Sequence, residues 1–552
     1  MAVEDITGFA DYELFMAMGG DPWVLSSDFR LTVSIDGSSF VGAAVSVGTA
    51  VAPFTGTFDG NGFKIQNYTS ATDEAYAGIF GYTDGAGVVL KNILVEDSTI
   101  NNKTAETKSA CGGIAGYLGS GAITDCKIVN VDVGDAVGLS TRTAGIVGYC
   151  VGGTISGCET DADSTILGLD TTGGICGMHD TASLTFNCTN NAIVTTTANV
   201  AGGIVGDNIG ASTVSACTNT GAISGVDAVG GVAGRNYAED VEISNCYNEG
   251  VIAGTGNNVG GVAGNNRYAG ATITLSGNKV TGTVTGGGTV TGGVAGNNST
   301  AAVISSCYNL ATVDGTGDYA GGIAGQNWVG ADITDSYNLG DVTGTGNFIG
   351  GICGQNTDAG TTISRCYSNC VAGGGNYVGG GIGGGDSGAT ATDCYAWGTI
   401  SHGGWGTGGF IGYSNTTLED HVCLRCYSAV DVISLNATRG TFVGNNGGTI
   451  TACASLRDDA NDPEKFVATD TSGGGITDSS EEAESTLKQQ AFFAGPSKGW
   501  VFDDVWYSPG SNFPRLLWEG INIIPQQLRS KYKKDGEERH RNRYRKETVC
   551  GG

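Results

Sequence analysis

The sequence predicts an all-β fold: a single-chain β-helix, or solenoid, of about 13 coils with three strands per coil and short helical end caps. Three observations lead there. First, a Gly-Gly-Ile/Val-x-Gly motif recurs at a near-fixed interval. Its second residue falls at 78, 113, 145, 174, 203, 231, 261, 293, 322, 351, 381, 409 and 441, in steps of 28 to 35 residues. Second, the chain is poor in helix formers and rich in Gly, with 97 glycines in 552 residues. The glycines lack a collagen-like spacing, and seven prolines are too few for a collagen or a disordered linker. Third, other residues repeat in phase with the glycines. Cys126, Cys158, Cys188, Cys217, Cys246, Cys307, Cys366, Cys394, Cys426 and Cys453 share one repeat position, with Ser276 and Ser336 in the two gaps. Asn190, Asn219, Asn248, Asn278, Asn309 and Asn338 lie two residues later, and Tyr247, Tyr308, Tyr337, Tyr367, Tyr395 and Tyr427 lie between.

The chain divides into an N-terminal cap with leading coils (1–76), a repeat region (77–455), an acidic loop with a C-terminal cap (456–520) and a basic tail (521–552). Residues 1–20 have neither a charged n-region nor an apolar h-region, so the expectation is a chain without a signal peptide. No run of 18 apolar residues is present to span a membrane. Ala10–Met18 reads as a helix stopped by Gly19-Gly20, covering the open edge of the first coil. The Asp-Gly and Asn-Gly pairs inside Phe54–Ile65 mark strands around a tight turn.

Within the unit 231–260, Gly231–Gly234, Val241–Asn248 and Val251–Ala253 are the three strand-like pieces, separated by Gly/Asn turns. Stacked about 4.8 Å apart, thirteen such units make a rod roughly 60 Å long. Glycine suits corners that need positive φ and leave little room. The expected orientation is cysteine inward, tyrosine outward and asparagine at the corner, with amides bonding along the axis. Ile243 and Cys246 have opposite parity on a straight strand, so burying both requires a bulge or corner between them.

Residues 456–488 are polar and acidic, and Ser480–Phe493 reads as a short helix with Glu481 and Glu482 in its first turn. Residues 497–519 hold three of the seven tryptophans and suit a plug for the far end. The tail then changes character. Arg529, Lys531, Lys533, Lys534, Arg539, Arg541, Arg543, Arg545 and Lys546 place nine of the 27 basic residues in eighteen positions. The overall net charge is −28, so the solenoid itself is a strong polyanion with a cationic end.

The Phe54–Gly62 run, the Gly-Gly-Ile/Val-x-Gly units, the Ile-x-x-Cys-Tyr-Asn-x-Gly units and the ending from Gly499 to Trp518 carry a resemblance. Across roughly residues 5–519 the chain resembles the GLUG-motif β-solenoids. Such repeats occur in large bacterial surface proteins, including adhesins and the non-catalytic regions of immunoglobulin-cleaving peptidases. The resemblance implies a scaffold and names no ligand. Those relatives are secreted, whereas residues 1–20 read as encoding no signal peptide.

Composition narrows the chemistry. An acidic rod does not suit nucleic acid, since phosphate contacts need Lys and Arg. The tail suits nucleic acid, an acidic protein surface, another solenoid, or simply a solvated charged helix. The cysteines read as a free, buried ladder of small apolar groups. Coil-to-coil disulfides fit the spacing, but parallel side-chain directions and an odd total of 17 oppose full pairing. Cys423-x-x-Cys426 has no second pair to complete a metal site, and Cys550 is a candidate for an intermolecular bond. His179, His402, His421 and His540 follow no repeat, so no catalytic, metal or cofactor residue is assigned. Asp314-Gly315-Thr316-Gly317-Asp318 reads as a turn before a calcium loop, and no regular Thr-x-Thr array is read on one face.

The expectation is therefore a non-enzymatic structural and adhesive appendage, a rigid solenoid presenting a binding face. It belongs on a virion, as a phage fibre or decoration protein, or on a cell surface. Its basic tail anchors it to other structural proteins or to further copies of itself, and its face meets a host-surface glycan or protein. The second reading is a polysaccharide-degrading β-helix enzyme, a tailspike-like glycosidase or lyase.

Overall fold

The computed structural model describes residues 3–17, 25–39, 46–72, 75–102, 109–134, 141–279, 282–402, 404–415, 421–434, 439–456, 465–470, 476–482, 487, 506–507 and 514–516. Contacts divide the chain into Met1–Glu481 and Glu482–Gly552. The first unit is a β-solenoid of about 14 turns, built on three parallel sheets of 26, 17 and 24 strands. They are called sheets 1, 2 and 3 below, in the order in which one coil visits them. The coil that begins in the Gly231 motif runs Ala233–Tyr237 in sheet 1, Glu242–Ser244 in sheet 2, then Tyr247–Asn248 and Ile252–Gly254 in sheet 3, and returns to sheet 1 at Val259–Gly260.

Successive described coils pair in register, apart from a shift between Gly440 and Val443 against the last one. Ile243 faces Ile273, Asn248 faces Asn278, and Ala233 faces Ala263. Identical side chains therefore pile up along the axis, and the interior is a set of columns of Ile, Val, Ala and Cys. The parity conflict at the cysteine is resolved by a corner. Asn245 has φ 51°, turning the chain between Ile243 and Cys246, and both are fully buried. The same left-handed residue precedes the ladder in other coils, as Ala216, Leu275, Ser306, Asp335, Arg365, Asp393 and Arg425.

The motif glycines have a different cause from the one expected. They do not sit at positive φ; they permit close approach. A Cβ on Gly230 would lie 2.0 Å from the Ala233 carbonyl oxygen, and one on Gly231 would lie 2.3 Å from Asn248 Cγ. The second glycine of the motif is thus the space into which the asparagine column fits.

At the N-terminal end, helix α1 spans Phe9–Ala17, one residue earlier than the predicted start. The Asp11 carboxylate reaches back to accept from the Thr7 amide (2.9 Å) and hydroxyl (2.6 Å), which orders the first turn. Phe15 enters the first coils, its ring 4.8 Å from Phe29 and 5.5 Å from Phe58. The turn at Asn61 and Gly62 joins Thr57–Asp59 in sheet 2 to Lys64–Gln66 in sheet 3 and is a corner of the solenoid.

In the stretch read from sequence as a loop and the start of a helix, Lys465–Asp470, Ile476–Thr477 and Ser480–Glu482 add a further coil. Val467 pairs with Val443, Ile476 pairs with Ile450, and Ser480–Glu482 is a strand. The rest of the expected helix lies outside the described residues, apart from Leu487. In the second unit, Trp506–Tyr507 pairs antiparallel with Arg515–Leu516, and Trp506 and Leu516 are buried. No described helix is long and apolar enough to cross a membrane.

Candidate binding face

The columns expected from sequence form, with distinct chemistry. The ten ladder cysteines are buried thiols, none of them in a disulfide. Each thiol lies close to the carbonyl two residues back, as Cys246 does at 3.3 Å from Ser244 O, and several accept a backbone N–H from the preceding coil, as Cys246 Sγ does from Cys217 at 3.5 Å. Ser276 makes both contacts in its gap, at 3.0 and 2.9 Å. Burial drives the Cys307 thiol away from ionisation, pushing it up to about 12. Cys423 and Cys426 also point inward, with Cys423 in the isoleucine column of sheet 2 and 3.8 Å from Cys453 Sγ. Cys550 and the basic residues from Arg529 to Lys546 lie outside the described residues.

The asparagines form a directional chain. Asn190, Asn219, Asn248, Asn278 and Asn309 each donate Nδ2 to the Oδ1 of the next coil's asparagine, at 2.7 to 3.2 Å. Asn248 also bonds the Gly250 carbonyl and amide, holding the bend in sheet 3. A second chain was not read from the sequence. Asn208, Asn236, Asn266, Asn298 and Asn327 bond in the same sense, ending on Asn356, at 2.8 to 2.9 Å. Its signal was present: the motif continues as Gly-x-Asn in six successive coils. His179 occupies the same register one coil earlier. Its Nδ1 donates to Asn208 Oδ1 at 3.1 Å, and its Nε2 accepts from the Thr185 hydroxyl at 2.8 Å. Burial lowers its pKa to about 4.

The tyrosines correct the sequence reading. They alternate outward, yet Tyr308, Tyr337, Tyr367, Tyr395 and Tyr427 are buried, and only Tyr247 stays partly exposed. Consecutive rings from Tyr308 to Tyr427 stack at 4.9 to 5.7 Å, so neighbouring coils cover both faces of each inner ring. On the outer face of sheet 2, Ser215, Ser244, Thr274, Ser305, Thr334, Ser364 and Thr392 stand in register, with Phe186 and Leu424 interrupting the wider row. Asp314 and Asp318 each serve the next coil, accepting from the Thr343 hydroxyl and from Asn347 Nδ2.

The face with the most varied chemistry is the outside of sheet 1. Tyr82 stacks on Tyr117 at 4.0 Å, and the Arg142 guanidinium lies 4.4 Å from the Tyr149 ring centre. Farther along, Arg235 forks onto Asp207, and Arg267 lies against Tyr237 and Tyr268. Asn297 accepts from Trp328 Nε1 at 2.7 Å, and Gln326 donates to Gln355 at 2.9 Å. Tyr319, Phe348 and Tyr377 then stack at 5.6 and 5.2 Å, and Tyr413 lies 4.7 Å from Tyr377.

A concavity of about 270 Å³ opens here, lined by Phe348, Gln355, Tyr377, Gly384, Gly385, Asp386, Tyr413 and Asn415. Its origin is the run Gly383-Gly384-Gly385. Gly384 falls in the outward row between Gln355 and Tyr413, where a missing side chain leaves a gap. A Cβ there would meet Phe348 Cδ1 at 2.4 Å, so the ring leans across the backbone. Gly385 falls in the second asparagine column and ends it. The imidazole of His421 fills the inward space, 2.5 Å from where a Gly385 Cβ would stand. His421 is buried, neither ring nitrogen has a hydrogen-bond partner, and desolvation lowers its pKa to about 4.

No family model matches the chain, and no curated protein matches it. Among solved structures, one described as a putative immunoglobulin A1 protease from Bacteroides ovatus is similar at 17% identity, over 66% of this chain and 84% of that one, with a TM-score of 0.30.

Proposed function

We propose that this chain is a non-catalytic scaffold of the GLUG type, a stiff solenoid that holds the outer face of sheet 1 toward a partner on a virion or cell surface. The observation that carries the reading is that face itself: partly exposed aromatic rings, amides and guanidinium groups stand in register over many coils. The two asparagine columns inside the stack are occupied with one another along the axis, so recognition falls to the outside. The concavity is lined by one carboxylate, Asp386, among the described residues, whereas glycoside hydrolysis uses a pair. The basic segment 529–546 is the anchor, docking the acidic solenoid onto other structural proteins.

Deleting residues 529–546 tests the arrangement. The expected result is an unchanged circular dichroism spectrum with loss of incorporation into the particle or surface. Normal incorporation of the shortened chain would refute the anchor. Release of sugar from host polysaccharide by the purified protein would refute the non-catalytic assignment.

A further inference from the structure

The concavity at Gly384 has the shape and chemistry of a small-ligand site, and its lining indicates which ligand. Its walls are the rings of Phe348, Tyr377 and Tyr413, each partly exposed. Its floor is glycine backbone, so a ligand can approach the main chain. Its rim carries the Gln355 and Asn415 amides and the Asp386 carboxylate, with Asn415 Nδ2 3.4 Å from Asp386 Oδ2. Flat apolar rings beside a few convergent polar groups suit a ligand that is apolar on one face and hydroxylated at its edge. A pyranose ring has that character: its axial C–H bonds lie against an aromatic face while its equatorial hydroxyls bond to amides and a carboxylate. Charge selects further. Asp386 and a chain of net charge −28 repel uronates, sialic acids and sulfated sugars.

We infer that the pocket formed by Phe348, Tyr377, Tyr413, Gln355, Asp386 and Asn415 binds one residue of a neutral saccharide. This rests on the reading of the outer face of sheet 1 as the binding face and names the ligand class for one part of it. The stacked rings of Tyr319, Phe348 and Tyr377 extend from the pocket along the axis, so a chain of sugars rather than a single ring is the natural ligand. The glycine run explains why the site sits in this coil. In preceding coils Asn297, Gln326 and Gln355 fill the outward row.

The test uses the full chain and isothermal titration with cellohexaose, xylohexaose, mannohexaose and chitohexaose, with polygalacturonate as the acidic comparison. At least one neutral hexasaccharide is expected to bind and polygalacturonate is not. Tyr377→Ala removes a stacking wall. Gly384→Gln fills the gap and continues the row of Gln326 and Gln355. Each should weaken binding at least about tenfold, a loss of about 1.4 kcal/mol, while an unchanged circular dichroism spectrum shows that each variant is folded. The inference is overturned if none of the four neutral sugars binds, if polygalacturonate binds better, or if the wall and gap variants bind as the parent does. Surface attachment read in parallel separates the two levels: a parent chain that attaches but binds none of the sugars removes the saccharide and leaves the scaffold.

Discussion

Asn248 accepts from Asn219, donates to Asn278 and holds both polar groups of Gly250. Truncating it strands several buried partners at once, so Asn248→Ala should cost roughly 2–4 kcal/mol, read from the denaturation midpoint. Cys246→Ser should cost less than about 1 kcal/mol, because Ser276 and Ser336 already perform the same two contacts in neighbouring coils. The amide column and not the thiol column is therefore the sensitive one. His179 and His421 add a pH dependence. Their folded pKa values near 4 lie below the unfolded value of about 6.5. Between those limits the unfolded chain takes up protons that the folded chain does not, so stability falls as pH drops from 6.5 toward 4 and is constant above. Each contributes roughly 2–3 kcal/mol of that loss by pH 4.5. His179→Asn should extend the amide chain to Asn208 and remove its share, measured as a smaller shift in urea midpoint between pH 7 and pH 4.5.

Among the elements, α1 has the clearest single task. Phe15 packs among Phe29, Phe54, Phe58 and Phe80. Deleting residues 1–17 removes that plug together with the edge strand Val3–Ile6, which pairs with Asp28–Leu31. The exposed edge of sheet 2 can then pair with another copy, so the deletion should produce concentration-dependent association, detected by light scattering. A monodisperse monomer at high concentration would show that the helix does not guard the edge. The helix could be read from sequence because a short run of helix formers stopped by Gly19-Gly20 is a local signal. The coil made by Lys465–Asp470, Ile476–Thr477 and Ser480–Glu482 could not. Its Gly474-Gly475-Ile476 lacks the closing glycine of the motif, and pairing with residues such as Val443 and Ile450 holds it in the stack.

For the whole solenoid, stability is a sum of coil and interface contributions. Excising residues 231–260 joins Gly230 to Gly261, which brings Asn219 to Asn278 and Asn208 to Asn266 and preserves every column. The shortened chain should fold with an unchanged circular dichroism spectrum per residue, and its denaturant m-value should fall in proportion to the coil removed. Excising 15 residues instead would place sheet 2 residues against sheet 3 residues and should abolish folding, detected by loss of the β signal.

What the sequence settled was the period. Glycine, cysteine and asparagine recurring every 28 to 35 residues require a stack, since each coil can bury its apolar side chains only against its neighbours. Tertiary structure alone decided what each column does. Whether a tyrosine on an outward position is exposed depends on the coil above and below it, as Tyr247 and Tyr337 differ with the same local sequence Tyr-Asn. The pocket at Gly384 follows the same logic. In the sequence Gly380–Gly384 is one more copy of the motif, and only the side chains of Phe348, Tyr377 and Tyr413, brought together from three coils, turn a missing side chain into a cavity.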